Sequence, residues 1–292
     1  MADLIRQQLN SALAPEALVV EHLCAALDLS RATFYRQAVR ISPDGAQLEL
    51  RDQIQRIALA RPCYGYRTIT AELRRRGYKV NHKRVLRLMR QDNLLCLRRP
   101  RGFIKTTDSR HRFAVYPNLA AELVLTGIDQ LWRADITYIR LRREFIYLAV
   151  VIDAYSRRCV GWALSPHIDA ALVLGALRRA LAERRPPPGL VHHSDRGVQY
   201  ACHDYTNLLV HHQIRISMSR TGNPYDNAQC ERFIKTLKHE EILMTEYETI
   251  SEARASLAHF IEQVYNRKRL HSALGYLPPA EFEQSLVKSK VS

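Results

Sequence analysis

Residues 131–165 read LWRADITYIRLRREFIYLAVVIDAYSRRCVGWALS, and the fold follows from how this stretch is parsed. Trp132–Leu141 is rich in β-branched and aromatic residues, Glu144–Asp153 contains the apolar run Phe145–Ile152, and Arg157–Ser165 repeats the same composition. The breaks at Arg142–Arg143 and Ala154–Ser156 are too short for a crossover, so the three segments are expected to form an antiparallel meander. Downstream the pattern alternates. A helix is expected over Asp169–Arg185, closed by Pro186–Pro187–Pro188, then a strand over Leu190–Ser194, a helix over Cys202–His212, a strand over Arg215–Ser219 and a longer helix beginning near Asp226.

Three antiparallel strands followed by alternating helix and strand is the order of an RNase H-like α/β domain, an order that other mixed sheets share. Upstream the chain reads as small all-α units. Ala17–Leu27 has helical apolar spacing, Asp28–Leu29–Ser30 interrupts it, and Ser30 is a suitable cap for a second helix, Arg31–Ala38, carrying Arg31, Thr33, Tyr35 and Arg36. This is helix-turn-helix shape, although a plain helical hairpin looks the same in sequence. A second unit follows, with Thr68–Arg76 ended by Gly77 and Asn81 capping Lys83–Asp92. In that last helix Val85, Leu88 and Met89 make one apolar stripe, while Lys83, Arg84, Arg87 and Arg90 occupy the other faces. Arg98–Arg99–Pro100–Arg101–Gly102 breaks both periodicities and opens a linker reaching about Leu125. The expected division is a helix-turn-helix-like segment over 1–45, a basic helix-turn-helix domain over 46–97, a linker over 98–125, the RNase H-like core over 126–250 and a C-terminal helical extension over 251–292.

Charge supports this division. The 292 residues hold 44 Lys and Arg against 29 Asp and Glu, a net charge of +15. Residues 51–112 contribute most of it, with 18 Lys and Arg against Asp52, Glu72, Asp92 and Asp108. A concentrated basic block is an electrostatic footprint for phosphate, and a solvated surface is the plainer reading. The six cysteines are scattered singly, without the CxxC pairs of a zinc ribbon or the density of a disulfide scaffold. No leader-like segment and no apolar run of about 18 residues is present, so a cytoplasmic protein without a membrane partner is expected.

Three carboxylates stand where chemistry could be placed. Asp135 falls mid-strand in Trp132–Tyr138, where burying a carboxylate costs several kcal/mol unless a cation answers it. An edge position, or Arg133 on the same face, would also satisfy it. Asp195 closes a strand in His192–His193–Ser194–Asp195–Arg196–Gly197, where ligands gather in open α/β sheets and where an Asp-containing turn, helped by Gly197, is the commoner outcome. Glu231 sits early in a helix with Cys230, Ile234 and Leu237 as its apolar stripe, and shares an adjacent face with Lys235 and Lys238. An ordinary Glu–Lys pair is the plainer reading there. The histidines near Cys202 (His192, His193, His203, His211, His212) include adjacent pairs that point apart, which disfavours zinc. His193 could either position phosphate near Asp195 or simply pack.

Taken together, Asp135–Ile–Thr–Tyr–Ile139, His193–Ser–Asp–Arg–Gly–Val–Gln–Tyr200 and Gly222–Asn–Pro–Tyr–Asp–Asn–Ala–x–x–Glu–Arg–Phe233 resemble bacterial insertion-sequence transposases of the DDE type, whose catalytic core is like that of retroviral integrases. The gap between Asp195 and Glu231 is 35 residues, as in that family. The resemblance extends to Tyr64–Gly–Tyr–Arg67, to Tyr265–Asn–Arg–Lys–Arg–Leu–His–Ser–Ala–Leu–Gly–Tyr276 and to Pro278–Pro–Ala–Glu–Phe282. By family position Asp135, rather than Asp153, takes the first carboxylate role.

The resemblance implies that Asp135, Asp195 and Glu231 hold two Mg²⁺ ions, with Mn²⁺ able to substitute. It implies cleavage of one strand to free a 3′-OH, then in-line attack of that 3′-OH on another phosphodiester. Double-stranded DNA, both element ends and target, is the implied partner, contacted by Arg31, Arg36, Arg67, Lys83, Arg84, Arg87, Arg90, Lys235 and Lys238. A homo-oligomer on DNA is implied, and so is an upstream-frame protein, this chain corresponding to the downstream (OrfB-type) frame product. Two other functions share parts of this pattern: a DNA-binding regulator, and an RNase H-like nuclease that hydrolyses without joining.

Overall fold

Strand β1 (Leu131–Arg140) pairs antiparallel with β2 (Phe145–Asp153), and β2 with β3 (Cys159–Ser165), so the meander forms as its short turns require. The computed structural model describes residues 16–26, 28, 30–38, 45–96, 113–220 and 224–291. After β3 come α6 (Ala170–Arg184), β4 (Val191–Ser194), the short α7 (Val198–Ala201), α8 (His203–His211) and β5 (Arg215–Met218). Both β4 and β5 run parallel to β1, giving one five-stranded sheet in the order β3-β2-β1-β4-β5. This strand order, with an antiparallel meander on one side and two crossover strands on the other, is the RNase H-like arrangement, and it puts β1 at the centre.

Alternation along the strands divides the core into two layers. On one face Trp132, Ala134, Ala149, Val151 and Val160 pack under α6, α7 and α8. Contact there is close: a methyl group on Gly161 would lie 2.3 Å from the carbonyl oxygen of Ala176. On the other face Ile139, Leu148, Val150, Ile152 and Trp162 pack against α9 (Ala228–Leu237), which follows a 3₁₀ turn over Pro224–Asn227. The same layer takes in Ala253, Leu257, Phe260, Ile261, Val264 and Tyr265, from α10 (Ile250–Ala258) and the wide π turn over His259–Tyr265 that continues it. The segment expected as an extension from residue 251 thus completes the second core layer. The last helix, α11 (Pro279–Val291), is fastened by Glu283, which pairs with Arg184 and Arg158.

The chain divides into two compact units, Met1–Leu59 and Ala60–Ser292. In the first, α1 (Glu16–Ala26) and α2 (Arg31–Ala38) bury Val20, Cys24 and Phe34 together. Ser30 caps α2 by accepting the Thr33 N–H at 3.1 Å. Helix α3 (Gly45–Ala60) buries Leu50, Ile54 and Ile57 at helical spacing and runs across the division. In the second unit α4 (Tyr66–Arg75) packs on α5 (His82–Gln91). Gly77, at φ +91°, makes the turn after α4, and Asn81 accepts the Lys83 N–H at 2.8 Å. The pair is fastened to the rest of its unit by Tyr64, whose hydroxyl accepts the Leu270 N–H, and by a two-pronged Arg75–Glu281 ion pair. Part of the expected linker is ordered: Leu119 donates its N–H to Ser217, and Ala120 packs with Leu131, Ala154 and Val191. Among the described residues no helix is long and apolar enough to cross a membrane.

Candidate active site

Asp135 and Asp195 stand on neighbouring strands at the middle of the sheet, and Glu231 is on the helix packed against the same face. Arg133 of β1 is level with His193 of β4, the last pair in that parallel register. Two residues further along each chain stand Asp135 and Asp195, on neighbouring strand lines about 4.8 Å apart. Glu231 approaches from above the same face. Its helix is tied to β1 by Asn227, whose side-chain amide donates to the carbonyl of Ala134 at 3.0 Å, and by Arg133, whose guanidinium donates to the carbonyl of Asp226.

Asp135 lies on the central strand rather than at an edge, and Arg133 is turned to the Asp226 carbonyl instead of to it. The Asp135 carboxylate accepts one hydrogen bond, from the N–H of Ile136 at 2.8 Å, and no ion pair reaches it among the described residues. Burial, then the negative charge of Asp195, push its pKa up to about 8, with Glu231 adding to the effect and Lys238 opposing it. Asp195 accepts the Gly197 N–H at 2.9 Å, so the turn expected after β4 forms and presents the carboxylate beyond the strand end. Glu231 is exposed, its pKa raised by partial burial, and it makes no ion pair with Lys235 among the described residues. On the same helix Cys230, Phe233, Ile234 and Leu237 are buried, which turns Glu231 and Lys235 outward. Lys238 is half-buried, with its ammonium 4.2 Å from the centre of the Tyr138 ring.

Among the described residues no three His, Cys, Asp or Glu side chains close into a single ion-binding cluster. The charge coupling instead links Asp135 to Asp195 and to Glu231 as two pairs. Carboxylates whose like charge raises the pKa of half-buried Asp135 are hard oxygen donors of the kind that divalent cations take.

The rival carboxylate, Asp153, is otherwise engaged. It accepts hydrogen bonds from the backbone N–H groups of Asp129, Tyr155 and Ser156 and from the Ser156 hydroxyl, and is fully buried as the hub of the β2–β3 turn. The histidines pack. His193 is fully buried between the hydroxyls of Ser217 (2.8 Å) and Ser219 (3.0 Å), and His192 is bonded to the Tyr205 hydroxyl at 2.9 Å. Burial pushes His192 down to about 3 and His193 to about 4, so both rings are neutral.

The cations expected to meet DNA fall in several places. Lys83, Arg84, Arg87 and Arg90 are exposed on α5, and Arg67 is exposed on α4 with its guanidinium against the Tyr66 ring. Arg31 is exposed on α2; the side chain of Arg36 lies outside the described residues. The sequence reading gives Asn227 no role and offers Arg133 as a partner for Asp135, whereas both tie α9 to β1. Asn227 stands one helical turn before Glu231 inside the quoted Gly–Asn–Pro–Tyr–Asp–Asn motif, a spacing that could have marked it.

Comparison with known proteins gives the family. Two models described as integrase core domain match residues 126–224 and 212–279, and one described as HTH-like domain matches residues 46–102. The chain is 36% identical over 270 residues to the transposase InsF for insertion sequence IS3A of Escherichia coli (strain K12), with 90% of this chain and 93% of that one covered. It is 39% identical over 231 residues to the transposase for insertion sequence element IS904 of Lactococcus lactis subsp. lactis (strain IL1403), with 76% and 87% covered. Among solved structures it is similar to the catalytic core domain of BIV integrase, at 22% identity, 56% and 99% coverage and a TM-score of 0.42. An integrase core preceded by an HTH-like domain, and matched along nearly the whole chain by insertion-sequence transposases, makes this chain a member of the insertion-sequence DNA transposase family.

Proposed function

We propose that Asp135, Asp195 and Glu231 are the catalytic carboxylates of this DNA transposase, and that they hold two Mg²⁺ ions for which Mn²⁺ can substitute. The observation that carries this reading is the position of Asp135: it is on the central strand, in no ion pair among the described residues, level with Asp195 and facing the helix of Glu231. The ions, when bound, supply charge neutralisation for the attacking and leaving oxygens of an in-line phosphodiester transfer.

The remaining work belongs to the chain. Asp135, shared between the two carboxylate pairs, sets their spacing. The Asn227 amide and the Arg133 guanidinium hold the start of α9 against β1, keeping Glu231 in register with the strand. Lys235 and Lys238 lie one and two turns beyond Glu231 and are suited to grip backbone phosphates beside the reacting bond. Lys238, stacked on Tyr138, has little freedom to leave the site. Arg67, Lys83, Arg84, Arg87 and Arg90 then hold duplex DNA at the element end, with Arg31 and Arg36 contacting it further upstream. The reaction frees a 3′-OH at the element end and joins it to target DNA in the nucleoid. Assembly as a homo-oligomer on DNA, and cooperation with an upstream-frame protein, complete the proposal. The division into 1–45, 46–97, 98–125, 126–250 and 251–292 is kept as a functional one, with 251–292 buttressing the core.

The test is a Mg²⁺-dependent strand-transfer assay on DNA carrying the terminal inverted repeats. Asp135→Asn, Asp195→Asn and Glu231→Gln should each abolish joining while end binding persists. Full activity in any one variant removes that residue from the site. Hydrolysis without joining would favour an RNase H-like nuclease, and binding without cleavage a DNA-binding regulator.

A further inference from the structure

The motifs Tyr64–Gly–Tyr–Arg67 and Tyr265–Asn–Arg–Lys–Arg–Leu–His–Ser–Ala–Leu–Gly–Tyr276 supply none of the carboxylates or their ties, yet the fold brings the two together. A cavity of about 560 Å³ is lined by one face of α4, with Arg67, Thr70, Ala71 and Arg74, and by the turn that ends in Tyr276 and Leu277. Positions 67, 70, 71 and 74 share that face because they are spaced by whole helical turns. His82, from α5, completes the exposed rim. Two contacts hold α4 to the segments flanking the turn: the Tyr64 hydroxyl accepts the Leu270 N–H at 3.0 Å, and Arg75 pairs with Glu281. All of these residues belong to the second compact unit.

The cations of the cavity are not answered by acids. Arg67 donates from Nε to the Tyr66 hydroxyl at 3.1 Å, and Arg74 reaches the Val80 carbonyl at 3.3 and 3.4 Å, both neutral acceptors. The acids of this region are spent, Glu72 on Arg76 and Glu281 on Arg75. Among the described residues neither Arg67 nor Arg74 is in an ion pair. A ligand entering here meets two guanidinium groups whose fork geometry suits phosphate oxygens. The cavity is larger than an inorganic anion needs and falls in the range of about 300–1,000 Å³ of small-molecule sites.

The backbone adds an independent observation. Tyr276 has φ +62°, directly after Gly275 at φ +64°. Glycine adopts this left-handed conformation freely, but for a bulky aromatic residue it is an outlier. The turn enforces it, with the Tyr276 N–H donating to the His271 carbonyl at 2.9 Å and the His271 N–H to the Leu277 carbonyl at 3.2 Å. Such strain is retained where a side chain has work to do, and this ring lines the cavity of Arg67 and Arg74.

We infer that this cavity binds a single unpaired nucleotide, its phosphate on Arg67 and Arg74 and its base against the Tyr276 ring. Every base has a face that can stack on an aromatic ring, so the ring gives affinity without choosing a sequence. Two sources share this chemistry: a nucleotide swung out of a duplex, and a free nucleotide. Only the first rests on the DNA contacts proposed for Arg67 and α5. Neither involves the carboxylates, so binding is measured without divalent metal, and a failed strand-transfer assay leaves it untouched.

The experiment titrates the full chain with deoxyadenosine monophosphate and with inorganic phosphate by calorimetry. It then compares labelled duplexes with and without one unpaired adenosine by fluorescence anisotropy. Arg74→Ala and Tyr276→Gly should each bind the monophosphate about tenfold more weakly than the parent. Tyr276→Phe, which keeps the ring, should bind like the parent. Glycine suits the turn, so Tyr276→Gly should melt within a few degrees of the parent. If the nucleotide comes from DNA, the unpaired adenosine should tighten duplex binding about tenfold, and Tyr276→Gly should erase that gain. If it is free, the gain is absent and the bulged duplex leaves monophosphate binding unchanged. Each protein is compared with itself on the two duplexes, so a failure of α5 as a DNA contact, which weakens both alike, is told apart. The inference falls if the unpaired adenosine gives no gain and the monophosphate binds the parent, Arg74→Ala and Tyr276→Gly equally or not at all. It also falls if inorganic phosphate binds as tightly as the monophosphate, which would make this a plain anion site. Marked destabilisation of Tyr276→Gly would overturn it too, by making the ring a structural prop.

Discussion

Asn227 donates its side-chain amide to the carbonyl of Ala134, 3.0 Å away, joining the residue one turn before Glu231 to the residue just before Asp135. Both partners are buried, so the bond is shielded from water and the two carboxylates are held on one frame. Replacing Asn227 by Ala should destabilise the protein by about 1–3 kcal/mol, the cost of an unsatisfied buried carbonyl. Strand transfer should fall more than that loss explains, because Glu231 loses its register with Asp135. Urea denaturation and single-turnover joining at saturating DNA separate the two effects; joining at the parental rate would show that the tie is purely structural.

Asp135 links the site to pH. Its pKa in the folded chain, about 8, lies above the ordinary 3.8 because burial and the neighbouring carboxylates disfavour the charge. Folding therefore favours the protonated form. The contribution is complete below pH 4 and is lost progressively as pH rises to about 8. Metal-free protein should become easier to unfold across that window, and Asp135→Asn should lack this component of the slope. If Asp135 holds Mg²⁺ as proposed, the ion has to displace the proton below pH 8. Calorimetry at pH 7 in buffers of different ionisation enthalpy should report proton release, and a buffer-independent heat would contradict it.

The α5 cations make a separable prediction. Arg84 and Arg87 are exposed on a helix whose opposite stripe, Val85, Leu88 and Met89, is buried. Changing both arginines to Ala should leave stability within about 0.5 kcal/mol. If each contacts one phosphate, the salt slope of end binding should fall by about 1.8. A slope equal to the parent's would remove this helix from the DNA interface.

Glu283 concerns the C-terminal helix. It is buried, with 8% side-chain exposure, and takes both nitrogens of Arg184 as well as one of Arg158. Glu283→Ala leaves Arg184 with Asp129 and Arg158 with Glu183 as their remaining partners, and should cost about 1–3 kcal/mol. Glu283→Gln, which keeps the acceptor oxygen, should cost less. A loss below about 1 kcal/mol in the Ala variant would mean that α11 is not fastened through this residue.

By itself the sequence determined the strand and helix order, because alternation over 131–165 and the short turns between segments leave one meander, and the Pro and Gly punctuation closes α6 and α4. It also determined which face of α9 is apolar, since Cys230, Ile234 and Leu237 repeat at helical spacing. Tertiary structure alone decided what each polar group meets. Asp135 and Asp153 look alike in sequence, and only strand pairing shows one level with Asp195 and the other filled by the turn around Ser156. Arg133 looked like a partner for Asp135, yet it bonds to the Asp226 carbonyl 93 residues away. Arg157 and Arg158 are adjacent and identical in type, and among the described residues only Arg158 is given ion pairs by the fold. Periodicity carries information between residues a few positions apart; the partners of a buried charge come from distant segments, and no local pattern names them.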